Sequence, residues 1–349
     1  MNKFITRFTA VQILTIFSYS LAFSQTNKSD LEKDGFLGKV KEIKTIHYHV
    51  EKGVRGEPSP SFVDLYDQKG RKTEHSYFYI KDIGFQKKCT WKYNVNGNLI
   101  EDSCEGSTSK KQYDKSNNLI RIDRYTENGS LAETTIKQYN QDNKEIESKN
   151  YTADNTTPYH TSQSKYIDSR ITEVLEYYSN PEDFTKQTYS YNESLKISET
   201  SMFTKSGLQS KIRYFYDKSA NLIEAKYFDG NGNNTSTVKY QFDQNNNRTS
   251  KQYYDSSGKL SEGLKYSATY NAANQLVKFL ESDEDGNHNS FMNEYSVNGK
   301  LIKRTIYRYD NKVSKVSVFS HDKIGNAVEE KILEDGVETY VIAYENIYY

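Results

Sequence analysis

Apolar residues come along this chain in short bursts interleaved with polar ones, as in Lys300-Leu-Ile-Lys-Arg-Thr-Ile-Tyr-Arg-Tyr309. Strict alternation puts Leu301, Thr305, Tyr307 and Tyr309 on one side of an extended segment and Ile302, Arg304, Ile306 and Arg308 on the other. A period of two predicts strands, not helices. Neither side is uniformly apolar, so the pattern predicts a thin sheet instead of a deep core.

Between the bursts stands a turn that recurs about every 12 to 14 residues. Its frame is an aromatic residue, then Asp or Asn, two polar residues, Gly or Asn, and an apolar residue or pair: Tyr113-Asp-Lys-Ser-Asn-Asn-Leu-Ile120, Tyr216-Asp-Lys-Ser-Ala-Asn-Leu-Ile223, Tyr254-Asp-Ser-Ser-Gly-Lys-Leu260, Tyr295-Ser-Val-Asn-Gly-Lys-Leu-Ile302. The first side chain accepts hydrogen bonds from backbone just ahead, and the fourth position suits a left-handed residue such as Gly or Asn. A type I turn closed in this way makes a three-residue hairpin loop with a bulge. The expected fold is therefore all-β, an elongated array of antiparallel hairpin repeats forming a twisted sheet or an open solenoid.

Composition sharpens this picture. Only 35% of residues are hydrophobic, yet 31 are Tyr, so much of the packing must come from rings that keep a polar tip in water. Lys+Arg and Asp+Glu are both 47. With the two signs interleaved along the strands, the chain offers no basic groove for nucleic acid.

The repeat divides the 349 residues. Residues 1–24 read as a signal peptide, with Lys3 and Arg7 ahead of an apolar stretch from Phe8 to Phe23 and small residues around Ala22-Phe23-Ser24; cleavage leaves Gln25 first. Residues 25–35 read as a flexible tail. Residues 36–349 form one β-repeat domain: a lead-in section over 36–100, repeats over 101–151, an irregular connection over 152–190, and repeats with a terminal strand over 191–349. Gly56-Glu-Pro-Ser-Pro60 reads as loop, outside any sheet, and the two ends of the array as caps. The expected location is outside the cytoplasm: periplasm, outer surface or medium, with no membrane span after signal removal.

Export bears on the two cysteines, because disulfides persist in oxidising compartments. Cys89 and Cys104 lie on the two arms of one hairpin around Asn94-Val-Asn-Gly97. With a two-residue turn Cys89 faces Cys104; with the three-residue bulged loop it faces Ser103.

The repeated frames are similar to the YD repeat of Rhs-type bacterial proteins, whose pattern is Tyr-x-Tyr-Asp-x-x-Gly-Arg/Asn-Leu. Arg213-Tyr-Phe-Tyr-Asp-Lys-Ser-Ala-Asn-Leu222, Lys239-Tyr-Gln-Phe-Asp-Gln-Asn-Asn-Asn247 and Lys251-Gln-Tyr-Tyr-Asp-Ser-Ser-Gly-Lys-Leu260 carry the resemblance. It extends over about two thirds of the chain, with Asn or Ala often in place of Gly. The resemblance implies an exported envelope protein of antiparallel repeats, with carbohydrate binding proposed for some members. The large members enclose a toxic C-terminal domain, and toxin delivery is not expected to carry over to this array.

Motifs for chemistry are sparse. His47 and His49 share a strand face but lack a third ligand, and Asp229-Gly-Asn-Gly-Asn233 and Asp283-Glu-Asp-Gly-Asn287 fall at turn positions without the spacing of a calcium loop. No Gly-x-Ser-x-Gly elbow, His-Glu-x-x-His or phosphate loop occurs. The expectation is a noncatalytic binding or scaffold module with no metal or cofactor, whose partner is an envelope protein or a glycan. Trp91, Tyr240 and Tyr266 are its candidate ligand contacts; Tyr216, Tyr254 and Tyr309, beside their turns, are expected to pack. The alternative is an envelope hydrolase with scattered catalytic residues.

Overall fold

The computed structural model describes residues 28–79, 85–244, 246, 248–261, 265–282, 288–308 and 312–349. The signal-peptide segment, Gln25, the turn at 283–287 and Tyr309 lie outside them. Among the described residues one antiparallel sheet of 25 strands holds almost the whole chain. From Lys72–Tyr79 to Ala327–Glu334 each strand pairs with the one before and the one after. The array does not end in caps, because its first and last long strands pair: Val40–Glu51 is bonded to Val337–Tyr348 from Val40↔Tyr348 to His49↔Tyr340, and on its other edge to Ser59–Tyr66. The sheet is thereby a closed ring, which removes the exposed edges an open array would have to protect. Only the two-residue strand Val54–Arg55, paired with Val50 and Glu51, stands outside it.

Hairpin turns alternate between the two ends of the ring. At one end most turns are five-residue frames, for instance Asp114–Asn118, Asn192–Lys196 and Asp217–Asn221, and further frames, Thr126–Ser130, Asp229–Asn233 and Asp255–Lys259, sit at the other. At the other end several turns are two-residue, with both central residues at positive φ, as at Glu105-Gly106 and Asp335-Gly336.

In the frames, Asp217 Oδ1 accepts from the Ser219 and Asn221 backbone N–H groups at 2.8 and 2.9 Å, and Ala220 N–H closes the turn on Asp217 O at 3.1 Å. These bonds hold the Asp217 carboxyl below its usual range, the backbone and side chain of Asn221 contributing most. Adjacent frames are also stitched together: Asn221 Nδ2 donates to Asn246 Oδ1 at 2.9 Å, and Asn118 Nδ2 to Asn143 Oδ1 at 2.8 Å.

The fourth frame residue has positive φ whatever its type: +82° at Gly258, +75° at Gly299, 63° at Ala220 and 61° at Leu195. Two substitutions test this in opposite directions. Leu195→Gly, at an exposed site, should raise stability by about 1 kcal/mol, and Gly299→Val should lower it by roughly 1 to 2 kcal/mol, since a Cβ there adds left-handed strain. A Cβ at Gly299 would also stand 3.2 Å from Gln275 Nε2. Melts of both variants beside Lys303→Val check it; equal midpoints for all three would contradict the turn geometry.

After each frame the register shifts by one residue. Tyr295 pairs with Leu301, but Glu294 pairs with Lys303, leaving Ile302 as the extra residue of a bulge. The same shift follows Tyr93, Tyr113, Tyr125 and Tyr216. This corrects the faces expected from strict alternation. Leu301 belongs with Arg304 and Ile306, and Thr305 and Tyr307 lie on the opposite side, because the apolar doublet spans a bulge.

Traced through the ladder, one face carries Ile212, Tyr214, Tyr216, Ala225, Tyr227, Val238 and Tyr240, and the other carries Arg213, Lys226, Glu224 and Lys239. We call these the tyrosine face and the charged face. In the section from Cys89 to Asn150 both faces bear ion pairs: Arg124–Glu133 at 3.0 Å and Lys137–Glu145 at 2.7 Å on the first, Lys92–Glu101 and Lys149–Glu147 at 2.7 Å on the second. Neither face there is the continuous apolar band that a membrane barrel turns to lipid. No helix among the described residues is long and apolar enough to cross a membrane.

The apolar core is thin. One cluster joins Leu31, Val40, Ile43 and Tyr66 at the ring closure, with Phe36, Tyr344 and Tyr348 packed against it. Another joins Ile212, Tyr214 and Ala225. Elsewhere buried mid-strand residues are isolated apolar ones, such as Val238 and Ile332, or small polar ones, such as Thr134, Thr200 and Ser317.

Three expected boundaries change. Residues 25–35 are not all a flexible tail: Asp30–Lys33 is a helical turn with Ser29 and Glu32 as a reciprocal cap, and Leu31, only 2% exposed, anchors it to the core. Pro60 lies inside strand Ser59–Tyr66 opposite Ile46, at a point where the ladder slips register and a missing N–H is tolerated. The stretch 152–190 is no irregular connection, since His160–Ile167, Arg170–Tyr178 and Phe184–Tyr191 are full members of the ladder. Its prolines fall in the loops 153–159 and 179–183, outside the strands.

Candidate functional site

The tyrosines divide by what their hydroxyls do. Tyr113 O–H donates to Leu99 O at 2.8 Å, Tyr139 to Leu119 O at 2.9 Å, Tyr191 to Ile171 O at 2.8 Å, Tyr216 to Ile197 O at 2.9 Å and Tyr295 to Leu276 O at 2.9 Å. In each case the acceptor is the residue paired with the tyrosine of the preceding turn at the same end of the ring. Its carbonyl is free because the ladder stops short: strands Leu99–Cys104 and Ser107–Tyr113 pair no closer to this end than Glu101↔Lys110. The frame tyrosine thus clasps each hairpin to the one before it and satisfies a carbonyl that the bulge leaves over.

Tyr254 has no such clasp. Its frame lies at the opposite end of the ring, its hydroxyl goes to Gln252 Oε1 at 2.7 Å on its own strand, and Lys239 Nζ stands 5.1 Å from its ring centroid.

The candidate ligand contacts are placed apart. Trp91 is half-buried on the tyrosine face opposite Asp102, far around the ring from the other two. Tyr240 and Tyr266 do come together, because both pair with Lys251 of the strand between them; the Tyr266 side chain lies outside the described residues. Lys251 Nζ stands 4.5 Å from the Tyr253 ring centroid and 6.0 Å from that of Tyr240, whose ring also has the Arg248 guanidinium at 5.7 Å. Burial pushes the Tyr240 hydroxyl up to about 12, so it remains a neutral hydrogen-bond donor at any ordinary pH. Tyr253 and Lys251 were missed in the sequence; counting one extra residue per frame would have put them beside Tyr240.

Cys89 and Cys104 are directly opposed and joined by a disulfide. The loop between them is nevertheless the longer, bulged kind, with Gly97 N–H on Asn94 O at 3.0 Å and Tyr93 opposite Leu99. The bulge at Ile100 restores the facing register, a combination absent from the two alternatives drawn from sequence. With the cysteines separated by 15 positions in sequence, the crosslink should contribute about 3 kcal/mol through the unfolded chain. Urea melts of Cys89→Ser/Cys104→Ser should show that loss; the same midpoint as the oxidised protein would refute it.

A cleft of about 640 Å³ opens beside the helical turn, lined in part by Lys28, Asp30, Lys33, Arg71 and Tyr93. Behind it Lys72 Nζ bridges Asp34 at 2.9 Å and Asp64 at 3.0 Å, Tyr66 O–H donates to Asp34 at 2.6 Å, and His75 Nδ1 meets Asp64 at 2.5 Å. Burial, with help from Asp30, pushes the Tyr93 hydroxyl up to about 12. These groups are paired with one another and fasten residues 30–34 to the sheet. Among the described residues no three His, Cys, Asp or Glu side chains are grouped to hold a metal ion. His47 instead packs edge-on against Tyr340, ring centroids 5.4 Å apart, and burial lowers its pKa.

No family model matches the chain, and no curated protein does. Solved structures do. The Tc holotoxin pore of Photorhabdus luminescens is 14% identical over 79% of this chain and 15% of its own, with a TM-score of 0.42. TcdB2–TccC3 is 13% identical over 79% and 16%, with a TM-score of 0.44. A porin-like protein from Bacteroides uniformis is 10% identical over 88% and 96%, with a TM-score of 0.25. The chain therefore spans under a fifth of the length of the first two. Similarity at this level assigns neither family nor activity.

Proposed function

We propose that this chain is a noncatalytic, exported repeat protein that acts as a scaffold and binding module at the bacterial envelope, taking a carbohydrate or a protein partner. What supports the reading best is the division among the tyrosines. The repeated ones are committed to clasps, whereas Tyr240 and Tyr253 surround a lysine without serving the frame. Rings with a polar tip and a neighbouring cation are the side chains that recognition surfaces favour. The disulfide suits an oxidising compartment, and the apolar N-terminal stretch suits a leader ending near Ser24.

The test combines a glycan array and capture from envelope extract, using the wild-type protein and Tyr240→Ser/Tyr253→Ser. The expected outcome is binding that the double variant loses while its melting temperature holds within a few degrees. A wild type that binds nothing in either assay would refute the binding role, and intact Met1 on natively exported protein would refute the leader.

A further inference from the structure

We propose that the charged face between strands Phe184–Tyr191 and Arg248–Asp255 binds an acidic polysaccharide, one whose sugars carry carboxylates. Arg213, Lys226 and Lys239 are the cations that meet it. The proposal goes beyond the binding reading above, because this surface lies on the face opposite Tyr240 and Tyr253.

The face is a ladder of cations standing on rings. Arg213 lies 5.3 Å from the Phe228 ring centroid, Lys226 5.3 Å from Phe215, Lys239 5.1 Å from Tyr254 and Lys186 5.2 Å from Phe203. Register makes these neighbours: Arg213 pairs with Lys226, and Lys239 pairs with Glu224, two residues from Lys226 on the same strand. The cations are open to solvent, the Arg213 and Lys226 side chains being 51% and 39% exposed.

Charge is unbalanced here although the whole chain is neutral. Lys186, Lys211, Arg213, Lys226 and Lys239 share the face with Glu199 and Glu224, which meet Lys211 at 3.4 Å, Arg213 at 2.9 Å and Lys226 at 3.6 Å. Elsewhere on the same face cations stand beside carboxylates, as in Lys92–Glu101 at 2.7 Å and Arg121–Asp123 at 2.8 Å.

The rings decide between acidic and neutral sugars. A neutral pyranose stacks on an open aromatic face, but here each ring face is already covered by a cation. What the surface presents is the cations, held extended and partly desolvated by the rings beneath them, which lowers the ordering cost of pairing with an anion. Strands about 4.8 Å apart repeat the charge at short, regular steps across the sheet. That spacing suits a polymer of repeating carboxylates better than a single small anion.

The probes are polygalacturonate, neutral dextran of matched length and poly-L-glutamate, titrated onto the purified full chain at low salt. Polygalacturonate should bind, dextran should not, and Arg213→Gln/Lys226→Gln/Lys239→Gln should weaken polygalacturonate at least tenfold with an unchanged melt. Lys226→Arg/Lys239→Arg should retain it. If the triple variant does not fold, Lys239→Gln alone should still cost about threefold, and no loss there overturns the site. Polygalacturonate affinity unchanged in the triple variant overturns it too. Poly-L-glutamate bound as tightly, and lost in the same variant, would reassign the face to acidic proteins. Neutral glycans bound through Tyr240 with no uptake of polygalacturonate would overturn this inference and leave the broader reading standing, whereas absence of every glycan and envelope partner would sink both.

Discussion

Ile43→Asp should unfold the ring at ordinary temperature, with a loss of about 5 kcal/mol. Ile43 is 2% exposed in the cluster where Val40–Glu51 meets Ser59–Tyr66, and it pairs with Asp64. Truncating a buried isoleucine alone costs roughly 2 to 5 kcal/mol, and a new carboxylate there would be desolvated beside an existing one. Asp64 already satisfies Lys72 and His75, so no spare cation awaits the newcomer. The effect should be cooperative, because the closing strand holds both neighbours of the seam. Denaturant melts and circular dichroism would measure it, with Ile43→Val as the mild control. A folded Ile43→Asp variant with a wild-type midpoint would show that the ring does not depend on its closure.

Tyr216→Ser should cost about 3 kcal/mol, and Tyr216→Phe about 1 kcal/mol. The first removes a ring packed beside Ile212, Tyr214 and Ala225 together with its hydroxyl; the second removes only the donor to Ile197 O. The gap between the two variants separates packing from clasp. Nature has made the second change in the array, since the frames at 228 and 242 begin with Phe. If Tyr216→Ser melts like wild type, the frame tyrosines do not hold the sheet, and their role as clasps fails with it.

The strands, the turn frames and the hairpin carrying both cysteines were legible in the sequence, because each rests on chemistry within a few residues. Asp217 and Asn221 make their turn with backbone two and four residues away, and Gly258 and Gly299 hold the left-handed position that their type favours. Alternation failed wherever a bulge intervened. A single extra residue after the frame moved Leu301 to the other face and brought Cys89 opposite Cys104, and no local composition marks a slip in register. Tyr240 was recognised as distinct from the frame, but its partners Lys251 and Tyr253 depended on that same count.

The remaining features are longer in range. An array of antiparallel hairpins built on tyrosine and Asx turns follows from local periodicity and backbone preference alone. That the array closes, through Val40–Glu51 against Val337–Tyr348, depended on the accumulated twist and register of every strand between them. The helical turn at Asp30 took its fold from Leu31 entering a core that does not exist until the ring is shut. The placement of rings under cations on one face and hydroxyl clasps at one end has the same origin. Side chains on different strands become neighbours only once the ladder fixes which residue faces which.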